Sequence, residues 1–243
     1  MALPGRRLSG RSYGRPVRAW QERERLLWLD QPVLIGLLLL AAGLWAFAVL
    51  SEDVATGDQI VSLDVRLANW LHEHARPPLT RAFLVITTLG SSPVLIPVAA
   101  AAALWLLRRR RSADAVFVAL ALAGALALNG LFKSVFERER PSFPDPLAEA
   151  SWFSFPSGHA SASIALYGAL ALLAARWLRS WSARAACLGA AAALVALIGF
   201  SRLYLGVHYL SDVLAGFSLG LVWLAACTLF VILLRRERPG EAG

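Results

Sequence analysis

Six stretches of this chain are apolar over the length of a helix: residues 32–50, 82–107, 114–133, 158–176, 184–200 and 209–234. About 20 such residues carry an α-helix across the hydrocarbon core of a bilayer, where only a helix or a closed barrel satisfies its own backbone. The composition agrees. Of 243 residues, 58% are hydrophobic and 16% charged, whereas soluble domains run nearer half and a quarter. The expectation is an all-α fold, an integral membrane bundle of six transmembrane helices over residues 31–235. It would lie between an Arg-rich tail at 1–30 and a short tail at 236–243. The rival reading of the first run is a cleaved leader, since Ala46-Phe47-Ala48 resembles a cleavage site. The long polar segment ahead of it favours a true span.

Between the first two spans, residues 51–80 are mixed, with Asp64, Leu67, Trp70 and Leu71 at helical spacing. That pattern predicts an amphipathic segment lying in the membrane interface. Gly90-Ser91-Ser92-Pro93 predicts a kink in the second span. Cys187 and Cys227 both fall in apolar runs, which implies neither a disulfide framework nor a zinc site.

The chain carries 24 Lys and Arg against 16 Asp and Glu, a formal charge of +8. In a soluble protein this would suggest nucleic acid. With six spans it is first a topology signal, because cytoplasmic loops collect Arg and Lys. Placing the N-terminus inside puts 17 basic residues on the cytoplasmic side, in the N-terminal segment, at Arg108–Arg111, around Arg176–Arg184 and after Arg235. Both termini are then expected in the cytoplasm, and no nucleic-acid partner is implied. Contact between the Arg clusters and anionic lipid headgroups is a secondary role.

The seven basic residues left outside include Lys133, Arg138, Arg140 and Arg202, at or beside the ends of apolar runs. Lys133 is the only lysine of the chain. Alone it could be a snorkelling side chain. On the same side stand His159, at the start of the fourth span, and His208, at the start of the sixth, with Asp212 one turn on. Ionisable groups within a span are costly and need partners. His208 and Asp212, four apart, would share a helix face. The carboxylate could then fix one imidazole nitrogen and leave the other as a nucleophile or base; a merely structural cap is the plainer alternative.

The segment Ser154-Phe-Pro-Ser-Gly-His159 opens the fourth span with Ser157 and Gly158, whose free N–H groups would suit an anion, or with an ordinary N-cap. Three cations, helix-start N–H groups, two His and one Asp on one face suit a phosphoryl group. No Cys/His or carboxylate cluster with metal spacing appears, so the sequence favours phosphoryl chemistry without a metal or other cofactor.

Three motifs carry a resemblance. Lys133 to Pro141 reads Lys-x6-Arg-Pro, residues 156–159 read Pro-Ser-Gly-His, and Ser201 to Asp212 reads Ser-Arg-x5-His-x3-Asp. Together they are similar to the signature of the type 2 phosphatidic acid phosphatase superfamily, and the span layout resembles that family over about residues 30–235. The resemblance implies that His208 attacks phosphorus to form a phosphohistidine, that Asp212 orients it, and that His159 protonates the leaving lipid oxygen and later helps activate water. Lys133, Arg140 and Arg202 would bind the phosphate oxygens, with the Ser157 hydroxyl and Gly158 amide completing the cradle and Arg138 standing behind them.

By this resemblance the chain would be a lipid phosphate phosphatase of a bacterial-type inner membrane, with its active site on the extracytoplasmic side. Its substrate would be undecaprenyl pyrophosphate, phosphatidylglycerol phosphate, phosphatidate or a lipid A phosphate. Its partners would be that lipid and the bilayer, with no obligatory protein partner evident. A phosphotransferase using the same residues is the nearest competitor, and a non-catalytic phospholipid transporter or binder is a more distant one. A haloperoxidase is disfavoured by the apolar composition. Of the remaining residues, Trp152, Phe153, Phe155, Tyr204 and Tyr209 suggest an aromatic belt at the interface, or alternatively a slot for the substrate's acyl or prenyl chain. His72 and His74 read as solvated, Asn129 as an interhelical hydrogen bonder, and Tyr167 as packing.

Overall fold

The apolar runs become helices, and four of the six are extended at both ends. A computed structural model describes residues 16–237, with side chains over 31–234. Half of the expected N-terminal tail and most of the C-terminal one therefore lie outside the described residues. The helices are α1 (Pro16–Thr56), α2 (Gln59–Glu73), α3 (Pro77–Thr88), α4 (Ser92–Arg108), α5 (Ser112–Phe136), α6 (Gly158–Ala175), α7 (Trp181–Tyr204) and α8 (Leu210–Glu237). No strand occurs among the described residues. The chain divides into two compact units, residues 1–35 and 36–243. The first, as far as it is described, is the beginning of α1; the second holds everything that follows.

Five stretches are long and apolar enough to cross a membrane: Gln31–Thr56, Ser112–Phe136, Gly158–Ala175, Trp181–Tyr204 and Leu210–Leu234. A sixth candidate is the pair α3 and α4, which meet at 42°. The bend falls at the expected Gly90–Pro93 segment. Three short-range hydrogen bonds, from Leu89, Gly90 and Ser91 to the carbonyls of Ile86, Thr87 and Thr88, close α3 there. Pro93, in the first turn of α4, has no N–H to continue the ladder. Gly90 also lets the break press on α7, since a Cβ on it would lie 2.4 Å from Cγ2 of Ile198.

The mixed region 51–80 resolves into the end of α1, all of α2 and the start of α3, divided by Gly57 at φ +77°. In α2 the buried face is Asp64, Ala68 and Leu71, at the i, i+4, i+7 spacing of one helix stripe. Trp70, expected on that stripe, is instead 54% exposed and stacks on His74.

At the centre of the larger unit, α6 packs against α5, α7 and α8. Its Ala and Ser positions, among them Ala160, Ser161, Ala162, Ser163 and Ala165, are buried, and small side chains allow close backbone approach. The closest approach is to α8. A Cβ on Gly216 would meet the Ser157 carbonyl oxygen at 2.5 Å, and one on Gly220 would meet that of Ser161 at 2.6 Å. These two glycines, one helix turn apart, seat α8 on α6 backbone to backbone.

Candidate active site

One end of this bundle gathers the end of α5, the loop 137–157, the start of α6, the end of α7 and the turn into α8. Lys133 lies one turn before α5 stops at Glu137, which takes a left-handed φ of +46°. The Lys133 side chain is buried, and its Nζ donates to the Phe153 carbonyl.

Ser157 is the N-cap of α6, yet its hydroxyl caps nothing. Its Oγ is buried without a hydrogen-bond partner. The Ser157 backbone N–H donates to the Asp212 carbonyl at 2.9 Å. Gly158 and His159 are the first residues of α6. A Cβ on Gly158 would lie 2.8 Å from Oδ1 of Asn129, whose Nδ2 donates to the Pro156 carbonyl at 3.0 Å. Asn129 thus braces the turn before α6 rather than joining two helices.

Arg202 stands in the last turn of α7, 7% exposed. Its Nη1 donates to Oγ1 of Thr87 at 2.7 Å, and its Nε is buried with no partner. An unpaired guanidinium nitrogen and an unpaired hydroxyl, both buried, are costly features unless a ligand completes them.

His208 does not sit on a helix with Asp212, as the spacing suggested. It lies in the turn between α7 and α8, which Gly206 makes possible with φ +68°. The pair nevertheless meets, because Asp212 folds back over the start of α8. Its Oδ2 accepts the Tyr209 N–H at 2.9 Å and His208 Nδ1 at 3.3 Å. With Nδ1 donating to a carboxylate, Nε2 carries the lone pair, and Nη1 of Arg140 stands 3.1 Å from it. Burial, together with the nearby charges of Arg202, Arg140 and Lys133, holds the His208 pKa well below its ordinary value. Neutral imidazole is therefore the resting form.

Arg140 is held on all its donors. Nε donates to the Trp152 carbonyl at 2.8 Å, Nη1 to Val207 at 2.6 Å as well as to His208, and Nη2 to Ser151 and Phe153 at 3.1 and 3.0 Å. Trp152 takes φ +67° in this segment. Burial lowers the Arg140 pKa from its ordinary value, an effect that leaves an arginine charged. Beside Arg140 opens a cavity of about 590 Å³ lined by Phe143, Glu149, Ser151, Gly206 and Val207 among others.

Arg138, expected behind the phosphate-binding groups, is bound to Asp212. Its Nη1 donates to Asp212 Oδ1 at 2.6 Å and to Ser211 Oγ at 2.7 Å, and its Nη2 to Asp64 Oδ2 at 2.8 Å. Its guanidinium lies over the Tyr209 ring, 4.4 Å from the centroid. Asp64 and Thr87 were not singled out for the site from the sequence. Asp64 was legible only as a polar residue on an otherwise apolar stripe, and Thr87 gave no signal.

Three further expectations need correction. His72 is not solvated: its ring is largely buried, accepts or donates at 3.0 Å with Asp145 and stacks on Phe143. The hydrogen bond with His72 is also what chiefly lowers the Asp145 pKa. The aromatic belt is not one surface either. Phe155 and Tyr204 are core residues, while Trp152 is 59% exposed. Tyr204 Oη accepts the Arg76 N–H at 2.7 Å. Tyr167 does more than pack, donating to the Leu89 carbonyl freed at the α3–α4 break. Among the described residues, no group of three His, Cys, Asp or Glu is arranged to hold a metal ion.

Comparison with known proteins places this architecture. The family model of the PAP2 superfamily matches residues 114–236. Phosphatidylglycerophosphatase B of Bacillus subtilis is 34% identical over 186 residues, which cover 76% of this chain and 86% of the relative. Undecaprenyl-diphosphatase of Sulfolobus acidocaldarius is 30% identical over 171 residues, 68% of this chain and 76% of that one. The crystal structure of a transmembrane PAP2-type phosphatidylglycerolphosphate phosphatase from Bacillus subtilis superposes with a TM-score of 0.72 at 30% identity, covering 84% of this chain and 98% of that one. With that family match and relatives of this identity over most of its length, the chain belongs to the PAP2 superfamily, as a multi-pass membrane phosphatase of lipid phosphates.

Proposed function

We propose that the chain hydrolyses a lipid phosphate or pyrophosphate through a phosphohistidine, without a metal, at the extracytoplasmic face of a bacterial-type inner membrane. The observation that carries this reading is His208. Its Nδ1 is engaged by Asp212, its Nε2 lone pair is free of a proton, and its neutral form is held by burial among three cations. A neutral imidazole with one fixed nitrogen is a nucleophile; three cations, none of them in an ion pair with a carboxylate among the described residues, are a receptor for phosphate.

In the proposed reaction Nε2 of His208 bonds to phosphorus as the bond from phosphorus to the lipid oxygen breaks. His159, charged by a proton taken from the bound substrate's own phosphate hydroxyl, gives that proton to the leaving oxygen. The lipid leaves as an alcohol, or as a monophosphate if the substrate is a diphosphate. Water then attacks the phosphohistidine, gives a proton back to His159 and releases inorganic phosphate and neutral His208. Lys133, Arg140 and Arg202 bind the non-bridging oxygens, helped by the Ser157 hydroxyl and the Gly158 N–H. The unpartnered Ser157 Oγ and Arg202 Nε support this, being donors of the type that phosphate oxygens accept from.

The topology proposed with it counts the α3–α4 pair as one span, giving six, with both termini cytoplasmic. The α2 helix would lie in the outer interface, its exposed Leu63, Val65 and Trp70 against lipid. A reporter fused after residue 243 tests the side: an external C-terminus would reverse it. Phosphatidylglycerol phosphate and undecaprenyl pyrophosphate, in line with the relatives' names, are the first to assay, with phosphatidate beside them. Phosphate release by detergent-purified protein with no added metal, abolished in His208→Ala, is the expected result. Release that survives His208→Ala in a folded protein would overturn the assignment.

A further inference from the structure

Asp64 lies on α2, outside the three motifs and outside the residues matched by the family model. Its side chain is nonetheless 1% exposed and faces the site from behind. Oδ1 accepts the Ser211 N–H at 2.9 Å, and Oδ2 accepts from Arg138 Nη2 at 2.8 Å and from the Ser211 hydroxyl. A buried carboxylate is costly unless paired and hydrogen-bonded, and here both conditions are met.

The pairing has a consequence for Asp212. Arg138 forks between two carboxylates, Asp212 through Nη1 and Asp64 through Nη2. Facing Asp212 alone, the guanidinium would cancel its charge. Shared with Asp64, it leaves one negative charge uncompensated in the set. The other charged groups acting here are Lys133 from α5 and Arg140 from the 137–157 loop, which act on Asp212 from the phosphate side, and Glu139, which acts on Tyr209. As His208 Nε2 bonds to phosphorus, positive charge develops on the imidazole, and a net anion at Nδ1 stabilises it. Asp64 also holds the first turn of α8 through Ser211, and that turn carries Asp212.

We propose that Asp64 is a positioning residue for phosphoryl transfer: it shares Arg138 with Asp212 and pins the start of α8, so that Asp212 keeps both its place and its field on His208. This rests on the phosphatase reading above. The test is steady-state phosphate release by the full-length protein in detergent, from whichever of the three lipids the wild type turns over, comparing Asp64→Asn, Arg138→Met and the double variant. Asp64→Asn should lower kcat by roughly 10- to 100-fold, the range typical of groups that orient a reacting side chain, with KM within about threefold. In the Arg138→Met background the same change should cost no more than about threefold, because the shared cation is gone.

An Asp64→Asn protein with kcat within twofold of wild type, or effects that multiply in the double variant, would overturn the proposal while leaving the phosphatase reading intact. Should Asp64→Asn fail to fold, the double variant decides. Recovery of folded protein, with kcat no lower than that of Arg138→Met, supports the shared-cation role. Failure of both to fold would make Asp64 purely structural and overturn it. A folded wild type that releases no phosphate defeats the parent reading, and this one with it.

Discussion

Ser157 and Asp212 are joined through their backbones: the N–H of the first donates to the carbonyl of the second at 2.9 Å. This bond ties the N-cap of α6 to the first turn of α8, and so fixes the Pro-Ser-Gly-His turn relative to the carboxylate that holds His208. It forms because Gly216, one turn beyond Asp212, leaves the two helices in backbone contact.

Gly216→Ala is therefore expected to part α8 from α6. Overpacking of this kind costs about 1–3 kcal/mol, and the turnover number should fall at least tenfold. Gly130→Ala is the control, since a Cβ there meets nothing within 4 Å. It should be neutral, or stabilising by about 0.5–1 kcal/mol as Gly→Ala in a helix commonly is. Thermal melting in detergent and phosphate release, measured on both, check the contrast; equal behaviour would remove the helix seat from the account.

Ser157→Ala removes a buried hydroxyl that bonds to nothing in the fold. The melting temperature should stay within about 2 °C of wild type, because no protein hydrogen bond is lost. Phosphate release should drop by about tenfold, since the proposed partner of that hydroxyl is the substrate. A stability loss without an activity loss would mean that Ser157 serves the helix instead.

Thr87→Val takes away the acceptor of Arg202 Nη1. Nη1 would then join Nε as a second buried nitrogen without a partner, at a cost of about 1–3 kcal/mol. The expected signature is a lower melting temperature with a raised KM. Thr87→Ser, which restores the hydroxyl, should recover most of both.

The pH dependence follows from the sign of the His208 shift. Its pKa is depressed in the fold by burial and by neighbouring cations, while an unfolded histidine titrates near about 6.5. The folded state thus takes up a proton less readily than the unfolded one. His208 therefore contributes a loss of stability as the pH falls below about 6.5, and none above it. Melting curves between about pH 5 and 7.5 should show a shallower acid decline in His208→Gln than in wild type. In the rate profile of wild type, no acid limb from His208 is expected over that range.

The sequence made the long helices legible because lipid-length apolar runs have few alternatives. It made the site legible because ionisable residues at span ends are expensive and stand out. It did not reveal how His208 reaches Asp212, since spacing of four residues describes a helix and a tight turn equally well. Thr87 was invisible for a different reason: its link to Arg202 runs across 115 residues of chain, and a threonine near a helix end has many ordinary uses. Asp64 was seen, but helical periodicity assigned it to a face without telling what that face meets. His72 is illegible because a polar stretch of sequence need not be a solvated one: the 137–157 loop folds over it through Phe143 and Asp145.

The five donors of Arg140 already satisfied within the protein have a kinetic meaning. In the proposed reaction a phosphate group arriving there would take over bonds now made to the carbonyls of Ser151, Trp152 and Phe153, so association would be a swap of acceptors rather than the filling of an open socket. A swap is nearly even in enthalpy, and inorganic phosphate alone has little else to offer. A lipid brings the burial of its chains as well and can tip the exchange. Such a centre would hold its substrate by the tail, and once the tail is cut away the loop can reclaim its arginine and send the small anion out.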